Sequence, residues 1–280
     1  MVRGISFWKM HGLGNDYIVI DNRNEELSEQ ELPSLAIKLC KRRFGIGADG
    51  LLLIYPSQIA DVKMRIFNPD GTEAEMCGNG IRCLAKYCFE KRLVEKTTML
   101  VETLGGVREL TLKIEGGTVY SVKVNMGSPS FEAERIPVKW NGAFINEIID
   151  VRGKKIRATA LSMGNPHCVV FVENVENYPV DVFGPIIEKH KLFPKRTNVE
   201  FAQIISRRKI KVRVWERGVG ETLACGTGAC ASVVAANVLG KVDENVAVQL
   251  LGGELMVEYR NNVVFVEGPA KKVFEGFISF

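Results

Sequence analysis

Patterns that bind metals, nucleic acids or membranes are missing from this sequence of 280 residues. It has three histidines, and its seven cysteines never form a Cys-x-x-Cys pair, so the spacing of a structural zinc site does not occur. The formal net charge is only +4, without the basic stripe of a nucleic-acid surface. The charge-free stretch at residues 222–240 is rich in small and polar residues, which fits a buried helix better than a membrane span. We therefore expect no structural metal and no nucleic-acid or membrane partner.

The sequence also lacks a secretory signal and the composition of a disordered protein. No apolar segment follows the first ten residues, so we expect a cytoplasmic location in which the cysteines stay reduced. Hydrophobic residues make up 46% and charged residues 25% of the chain, which is typical of a globular protein. The length fits one large domain or two of modest size.

The chain contains an internal repeat. Residues 63–80 align without a gap with residues 211–228, at an offset of 148 positions, and both segments include a Cys-Gly-x-Gly motif. Upstream, Gly14-Asn15 and the aliphatic run after it match Gly164-Asn165 and its following run, at an offset of 150. A long ungapped match through both cysteine motifs indicates a duplication rather than a chance recurrence of glycine turns. We therefore predict two similar halves.

Each half has the pattern of mixed α and β structure. The dipeptides Gly116-Gly117 and Asn261-Asn262 each separate two strand-like runs and predict hairpin turns. One helix is predicted after each Cys-Gly-x-Gly motif, and another over Ser28–Arg43 with Ser28 as its N-cap. The predicted strands are Tyr17–Asp21, Gly50–Tyr55, Lys63–Phe67, Leu110–Ile114, Val119–Asn125, Cys168–Val172, Lys209–Trp215, Glu254–Tyr259 and Val263–Val266.

Cys77 and Cys225 stand at or just before a predicted helix N-terminus. The helix dipole and the N–H groups of the first turn favour a thiolate there, and the glycines let a ligand approach the backbone closely. The N–H groups of Gly78-Asn79 and Gly226-Thr227 form a site suited to a carboxylate. The other five cysteines are interpreted as small buried hydrophobic residues.

Two such helix starts, one from each half, could hold one substrate carboxylate across a cleft. One thiolate would remove the proton from the adjacent carbon while the other thiol delivers a proton to the opposite face, which inverts the stereocentre. General acid–base positioning supplies only about 100- to 10,000-fold of the rate that such a step needs. The remainder must come from stabilising the charge that develops on the carboxylate. The duplicated cysteines therefore predict a racemase or an epimerase.

Five stretches of the chain resemble the diaminopimelate epimerase family, the PLP-independent amino-acid epimerases of lysine and peptidoglycan synthesis. They cover essentially the whole chain in order. One short motif would be weak evidence, whereas five in order are highly specific. The stretches are KMHGLGNDYIVID from Lys9, FNPDGTEAEMCGNGIRC from Phe67, GNPHCVVFV from Gly164, TNVEF from Thr197 and WERGVGETLACGTGACA from Trp215.

The resemblance implies an epimerase that uses neither a cofactor nor a metal and interconverts LL- and meso-diaminopimelate. Cys77 and Cys225 would be the two catalytic bases, and His167 and Glu216 would also take part in catalysis. A substrate with an ammonium and a carboxylate at each end suits a carboxylate side chain beside a bidentate guanidinium. The implied substrate-binding residues are Asn15, Asn68, Gly78, Asn79, Asn165, Asn198, Glu216, Arg217, Gly226 and Thr227.

The repeat and the resemblance together imply an α+β fold of two pseudo-symmetric halves. Each half would be a curved mixed or antiparallel sheet wrapped around a central helix, with the active site in the cleft between the halves. The predicted domains are residues 1–126 plus 268–280, where a last strand returns to the first half, and residues 127–267. A homodimer is also implied. Two positions depart from some members: Gly50 replaces a substrate-binding glutamine, and Phe274 replaces a tyrosine linked to dimerisation.

Three alternatives stay open at this point. Residues 45–50 fit Gly-x-Gly-x-x-Gly, but they lie after a helix and before a strand, the reverse of the order in a dinucleotide-binding unit. A proline or hydroxyproline epimerase, or the phenazine-pathway isomerase, would share the architecture. A binding or redox protein could use Cys77 and Cys225 as a dithiol switch.

Overall fold

The computed structural model describes residues 4–24 and 26–279 and divides the chain into two compact units. The first unit comprises the chain up to Val124 together with the C-terminal segment from Glu267 onward. The second unit comprises Asn125–Val266. The C-terminal segment thus belongs to the same unit as the start of the chain.

Eighteen strands and four helices follow one another in the described part of the chain. The first half of the chain forms β1 (Gly4–Gly12), β2 (Asn15–Asp21), α1 (Leu32–Cys40), β3 (Gly50–Tyr55), β4 (Val62–Phe67), β5 (Glu73–Ala74), α2 (Gly78–Glu90), β6 (Thr98–Thr103), β7 (Gly106–Glu115) and β8 (Thr118–Gly127). The second half forms β9 (Glu147–Val151), β10 (Lys154–Ser162), β11 (Pro166–Phe171), α3 (Val180–Glu188), β12 (Asn198–Ser206), β13 (Lys209–Glu216), β14 (Gly220–Thr222), α4 (Gly226–Val238), β15 (Asn245–Leu250), β16 (Gly253–Arg260), β17 (Val263–Gly268) and β18 (Lys271–Ser279).

Both units build the same mixed sheet. In the first, β1 pairs antiparallel with β2, β2 parallel with β3, β3 antiparallel with β4, β4 parallel with β6, and β6 antiparallel with β7. In the second, β10 to β13, β15 and β16 repeat that sequence of antiparallel and parallel pairings. The predicted α+β class and the duplication are therefore confirmed.

The helices repeat as regularly as the strands. The helices α2 and α4 each have 13 residues and lie 148 positions apart, and α1 and α3 show the same offset. The helix α2 contacts β1, β2, β3, β4 and β7, and α4 contacts six strands from β10 to β16. Each of these two helices contacts strands across the full width of its sheet, as expected for the predicted central helix. Because α4 is built from small residues such as Ala and Val, it is buried almost all round.

The predicted helix over Ser28–Arg43 is wrong at both ends. The helix begins at Leu32, with Pro near its start, and Glu31 is its N-cap. Ser28 instead forms a turn in which its N–H and hydroxyl both donate to the Glu31 carboxylate. At the other end Arg43 adopts a φ of 72°, which a helix cannot continue through. Sequence analysis also missed α3, whose Pro185 obscures its helical pattern, and the strands β1, β5, β6, β9, β10, β12, β14 and β15.

The two predicted turns are confirmed. Gly116 and Gly117 have φ values of 56° and 79° and join β7 to its antiparallel partner β8. Asn261 and Asn262, between β16 and β17, have φ values of 51° and 60°, which is the backbone that a two-residue hairpin turn requires. The strand β18 pairs antiparallel with β1. Within residues 4–24 and 26–279, no helix has both the length and the apolar character needed to cross a membrane.

The turn at Asn261 gives a test of the local backbone. A β-branched residue in the left-handed region costs about 1–2 kcal/mol, whereas glycine adopts it without strain. We expect N261V to lower the free energy of unfolding by about that amount in urea titrations, and N261G to stay within about 0.5 kcal/mol of the parent. Equal stabilities for the two variants would contradict this turn conformation.

Candidate active site

Cys77 is the N-cap residue of α2. Its backbone is extended, with φ −139° and ψ 122°, and the helix begins at Gly78 directly after it. The sulfur lies 2.8 Å from the Tyr17 hydroxyl oxygen and 3.8 Å from Oδ1 of Asn15, both on β2. The structure therefore brings together Cys77 and the predicted residue Asn15, and it adds Tyr17, which sequence analysis did not single out.

A hydrogen-bonded chain of amide and guanidinium groups extends from the Cys77 cluster, which consists of Cys77, Tyr17 and Asn15. Nδ2 of Asn79 donates to Oδ1 of Asn15 over 3.1 Å, and the Arg82 guanidinium donates to Oδ1 of Asn79 over 2.7 Å. The side chain of Arg82 is fully buried and also donates to the Gly78 carbonyl over 3.0 Å. Buried polar groups that are paired in this way are fixed in position. Asn15 and Asn79 are thus held rigidly beside the first turn of α2.

Cys225 occupies the equivalent position at the start of α4. It is the N-cap residue, again with an extended backbone, and its sulfur accepts from the Gly228 N–H over 3.4 Å. The Thr227 hydroxyl lies 3.4 Å from the same sulfur. In both units the pairs Gly78-Asn79 and Gly226-Thr227 are the first two residues of the helix. The first N–H groups of a helix point along its axis and suit an anion.

The environment of Cys225 favours the thiol over the thiolate. Burial raises the pKa of Cys225 well above its usual value, and the nearby carboxylates of Glu216 and Glu200 raise it further. The hydrogen bonds from Thr227 and Gly228 act in the opposite direction but are weaker. Sequence analysis considered only the helix start, which favours a thiolate; at Cys225 burial and the two carboxylates act in the opposite direction and raise the pKa.

His167 lies in a buried polar chain that leads toward Cys225. Its Nδ1 is 2.7 Å from Oε1 of Glu200, and its Nε2 is 2.9 Å from Oδ1 of Asn165. Nδ2 of Asn165 in turn donates to the Thr227 hydroxyl over 3.4 Å. Both ring nitrogens of His167 are thus occupied, so it reaches the region of Cys225 through Asn165 and Thr227.

Glu200 is a buried residue of this site that sequence analysis missed. It lies on β12 with no exposed surface, and burial raises the pKa of its carboxyl while His167 opposes that shift. Its second oxygen, Oε2, has no hydrogen-bond partner among the described residues. The sequence signal for Glu200 was its position between Val199 and Phe201 in TNVEF. A glutamate between apolar residues is notable because glutamate is almost never fully buried without a partner.

The remaining predicted residues lie at the ends of strands or just beyond them. Oδ1 of Asn198 accepts from the Arg217 backbone N–H and its Nδ2 donates to the Pro166 carbonyl, each over 2.9 Å. Glu216 accepts from the Thr222 hydroxyl over 2.6 Å. Arg217 is exposed and its guanidinium donates to the Lys195 carbonyl. Asn68 lies in the turn after β4, where Nδ2 donates to the Thr72 hydroxyl, and no described contact joins it to the Cys77 cluster.

All seven cysteines are free thiols. The five outside the two helix starts are buried, and burial raises the pKa of Cys40 and of Cys83 to about 12. Burial likewise raises the pKa values of Cys88 and Cys168. Such thiols are inert, in agreement with their interpretation as small hydrophobic residues.

The structure argues against the dinucleotide alternative. The segment at residues 45–50 follows α1 and leads into β3, so its glycines precede a strand instead of opening a helix. Gly226-x-Gly228-x-x-Ala231 fits Gly-x-Gly-x-x-Ala and does open a helix, but it follows residues 223–225 and the three-residue strand β14 rather than a long buried strand. The described part of the chain contains no group of three His, Cys, Asp or Glu side chains that could hold a metal ion.

Comparison with known proteins identifies the family. A family model described as diaminopimelate epimerase matches residues 7–132 and 159–273. A diaminopimelate epimerase from Moorella thermoacetica is 52% identical over 273 residues, which cover 96% of this chain and 98% of that protein. One from Methanococcus maripaludis is 49% identical over 278 residues, with 98% and 99% coverage.

Solved structures share the fold at low sequence identity. A hydroxyproline epimerase from Agrobacterium vitis has a TM-score of 0.74 at 15% identity, covering 99% of this chain and 91% of that one. A phenazine biosynthesis protein of the PhzF family from Bacillus anthracis has a TM-score of 0.70 at 18% identity, covering 99% of both chains. With the matching family model and relatives near 50% identity, the predicted isomerase class is confirmed, and this chain belongs to the diaminopimelate epimerase family.

Proposed function

We propose that this chain interconverts LL-diaminopimelate and meso-diaminopimelate, with Cys77 and Cys225 as the two groups that exchange protons with the α-carbon. The observation that carries the proposal is the repeated position of the two thiols. Each is the N-cap residue of a 13-residue central helix, 148 positions apart. The product would serve lysine or peptidoglycan synthesis. We also propose that the protein is located in the cytoplasm.

The proton transfers follow from the duplicated chemistry. A thiolate takes the α-proton, so an S–H bond forms while the Cα–H bond breaks and its electrons move toward the substrate carboxylate. The other cysteine then gives its proton to the opposite face of the carbon and becomes the thiolate. Because burial and two carboxylates raise the pKa of Cys225, we assign the proton of the resting enzyme to Cys225. In that resting state Cys77 begins as the base.

The charge that develops on the substrate carboxylate is the largest energetic problem. Backbone N–H groups of Gly78-Asn79 and Gly226-Thr227, in the first turns of α2 and α4, suit this charge as an oxyanion hole does. Such donors are fixed by the helix before the reaction, so no reorganisation is needed as the charge appears.

The far end of the substrate carries a second ammonium and a second carboxylate. We propose that Glu216 binds the ammonium and that the exposed guanidinium of Arg217 binds the carboxylate in a bidentate manner. Asn15, Asn68, Asn165 and Asn198 would contribute neutral amides, which donate and accept without adding charge. His167 is proposed as a positioning residue, since its two nitrogens bind Glu200 and Asn165.

A homodimer belongs to this proposal. The strand β18 pairs with β1 and presents three large exposed apolar side chains, Val273, Phe274 and Phe277. Phe274 packs edge-on against Phe7 at a centroid distance of 5.9 Å. Large exposed apolar side chains favour association.

Light scattering after gel filtration tests the dimer. We expect a particle of twice the 31.1 kDa chain mass, and a shift to the monomer in F277K, because a lysine on this surface opposes burial. T118K, on another strand of the same unit, is the matched control. A monomeric parent protein would contradict the proposed assembly.

The proposed reaction is tested by proton exchange in D₂O. Reduced protein is incubated with LL-diaminopimelate without added cofactor, and the α-proton is followed by NMR. We expect deuterium incorporation with formation of the meso isomer, and a loss of at least about 100-fold in C77A and in C225A, because each removes one proton carrier. C88A, which replaces a buried cysteine of α2, serves as the matched control and keeps its rate.

The other outcomes separate the alternatives. Exchange with trans-4-hydroxy-L-proline but not with LL-diaminopimelate would favour a proline-type epimerase. No exchange with either substrate by a folded, reduced sample would favour the dithiol switch. Full activity in both C77A and C225A would contradict the catalytic assignment.

The buried pair of Glu200 and His167 gives a separate prediction. E200L leaves Nδ1 of a fully buried histidine without its partner, which costs about 1–3 kcal/mol. E200Q keeps a polar partner of similar size, so we expect it to lose less than half as much. Urea unfolding followed by circular dichroism measures both losses. Equal stability of E200L and the parent would show that the pair contributes nothing to the fold.

A further inference from the structure

The two cysteines have different neighbours at equivalent positions of the repeat. The offset of 150 that aligns Asn15 with Asn165 also aligns Tyr17 with His167. In the parallel strand pairs, Tyr17 lies opposite Gly50 and His167 lies opposite Asn198. Tyr17 and His167 therefore occupy the same place in their units.

The packing behind each helix start confirms this equivalence. A Cβ on Gly80 would lie 3.3 Å from the Leu52 side chain and 3.5 Å from the Tyr17 ring. A Cβ on Gly228, at the equivalent position of α4, would lie 2.8 Å from Oε1 of Glu200. Leu52 and Glu200 are 148 positions apart. Behind Cys77 the protein thus places a phenol and an aliphatic chain, and behind Cys225 an imidazole and a carboxylate.

Charged groups fix the direction of the hydrogen bonds around Tyr17. Nδ2 of Asn15 donates to the Asp49 carboxylate over 2.9 Å, so Oδ1 of Asn15 must face the other way, toward Tyr17 and Asn79. At the far end, Arg82 donates to Oδ1 of Asn79, which turns Nδ2 of Asn79 toward Asn15. An amide oxygen only accepts, so Oδ1 of Asn15 is an acceptor for the Tyr17 hydroxyl.

The Tyr17 hydroxyl consequently has one proton and two possible acceptors. When Cys77 is a thiol, its S–H donates to the Tyr17 oxygen, and the Tyr17 O–H donates to Asn15. When Cys77 is a thiolate, rotation about the C–O bond turns the Tyr17 O–H to the sulfur, 2.8 Å away. Burial, with Cys77 beside it, raises the pKa of Tyr17 well above its usual value, so the hydroxyl keeps its proton in both states.

We propose that Tyr17 is the positioning residue for Cys77, holding the sulfur in both protonation states through a hydroxyl that accepts from the thiol and donates to the thiolate. This inference rests on the proposed function, since it assigns a task to the base of that reaction. Cys225 has no phenol at the equivalent position and uses Thr227 and the Gly228 N–H instead. The two thiols of the duplicated site are therefore supported by different chemistry.

Alkylation tests the proposal independently of catalysis. The reduced protein and Y17F are treated with iodoacetamide at a series of pH values, and the rates for the Cys77 and Cys225 peptides are measured by mass spectrometry. The thiolate is the species that reacts. Loss of a hydrogen bond to a charged group lowers the thiolate population about tenfold, which moves the midpoint of the Cys77 profile up by about one pH unit. The Cys225 profile is expected to stay unchanged.

Y120F is the matched control, because Tyr120 is exposed and its hydroxyl lies outside the site. An unchanged Cys77 profile in a folded Y17F would overturn the inference. An equal shift of both cysteine profiles would overturn it as well, since it would show a general loosening. If the parent protein failed to exchange the α-proton but Y17F shifted the Cys77 profile alone, the proposed function would fall and the role of Tyr17 would stand.

A second measurement tests the proposal if the Y17F variant does not fold. Parent protein in which all tyrosines are replaced by 3-fluorotyrosine carries a more acidic phenol, which is a stronger hydrogen-bond donor. We expect the midpoint of the Cys77 profile to move down in this protein while that of Cys225 stays in place. A Cys77 midpoint that does not move would contradict the proposed hydrogen bond.

Discussion

The start of a helix is the constraint on which each unit depends. The first N–H groups of α2 and α4 have no acceptor within the helix, and they must be satisfied from outside. In both units a short strand and a turn deliver an extended cysteine to that point, and a glycine follows so that the backbone stays accessible. In each unit the sheet that packs around the central helix holds one helix start, one thiol and a set of amides in fixed positions.

The two units share one backbone arrangement, but the side chains around the two cysteines differ in chemistry. Around Cys77 the groups are neutral amides and a phenol, bounded by the charges of Asp49 and Arg82. Around Cys225 lie two carboxylates and a buried imidazole, and burial together with the carboxylates of Glu216 and Glu200 raises the pKa of that thiol. A duplicated fold that ran on identical side chains would give two identical thiols. The inversion that we propose instead needs one thiolate and one thiol at the start of each turnover.

Burial is the physical quantity that produces this difference. The helix dipole favours a thiolate at both positions by at most about 2 kcal/mol. Full desolvation of a charged group in a protein shifts its pKa by several units, which exceeds that contribution. At Cys225 desolvation and the neighbouring carboxylates are the larger effects, and they raise the pKa of the thiol. Cys77 is only half-buried, and its sulfur contacts the Tyr17 hydroxyl.

The sequence determined the parts of this protein that depend on local chemistry and on repetition. The offset of 148 located both cysteines and both central helices, because a duplication preserves spacing. The two turns at Gly116-Gly117 and Asn261-Asn262 followed from residues that tolerate a positive φ. The start of α1 was misplaced because Ser28 and Glu31 form a turn that has the sequence pattern of a helix cap. Only the tertiary structure placed Tyr17 on Cys77 and Glu200 on His167, since these contacts join residues 60 and 33 positions apart. Their hydrogen bonds are set by strand register, burial and the charges at the ends of each polar chain, none of which a local pattern in the sequence contains.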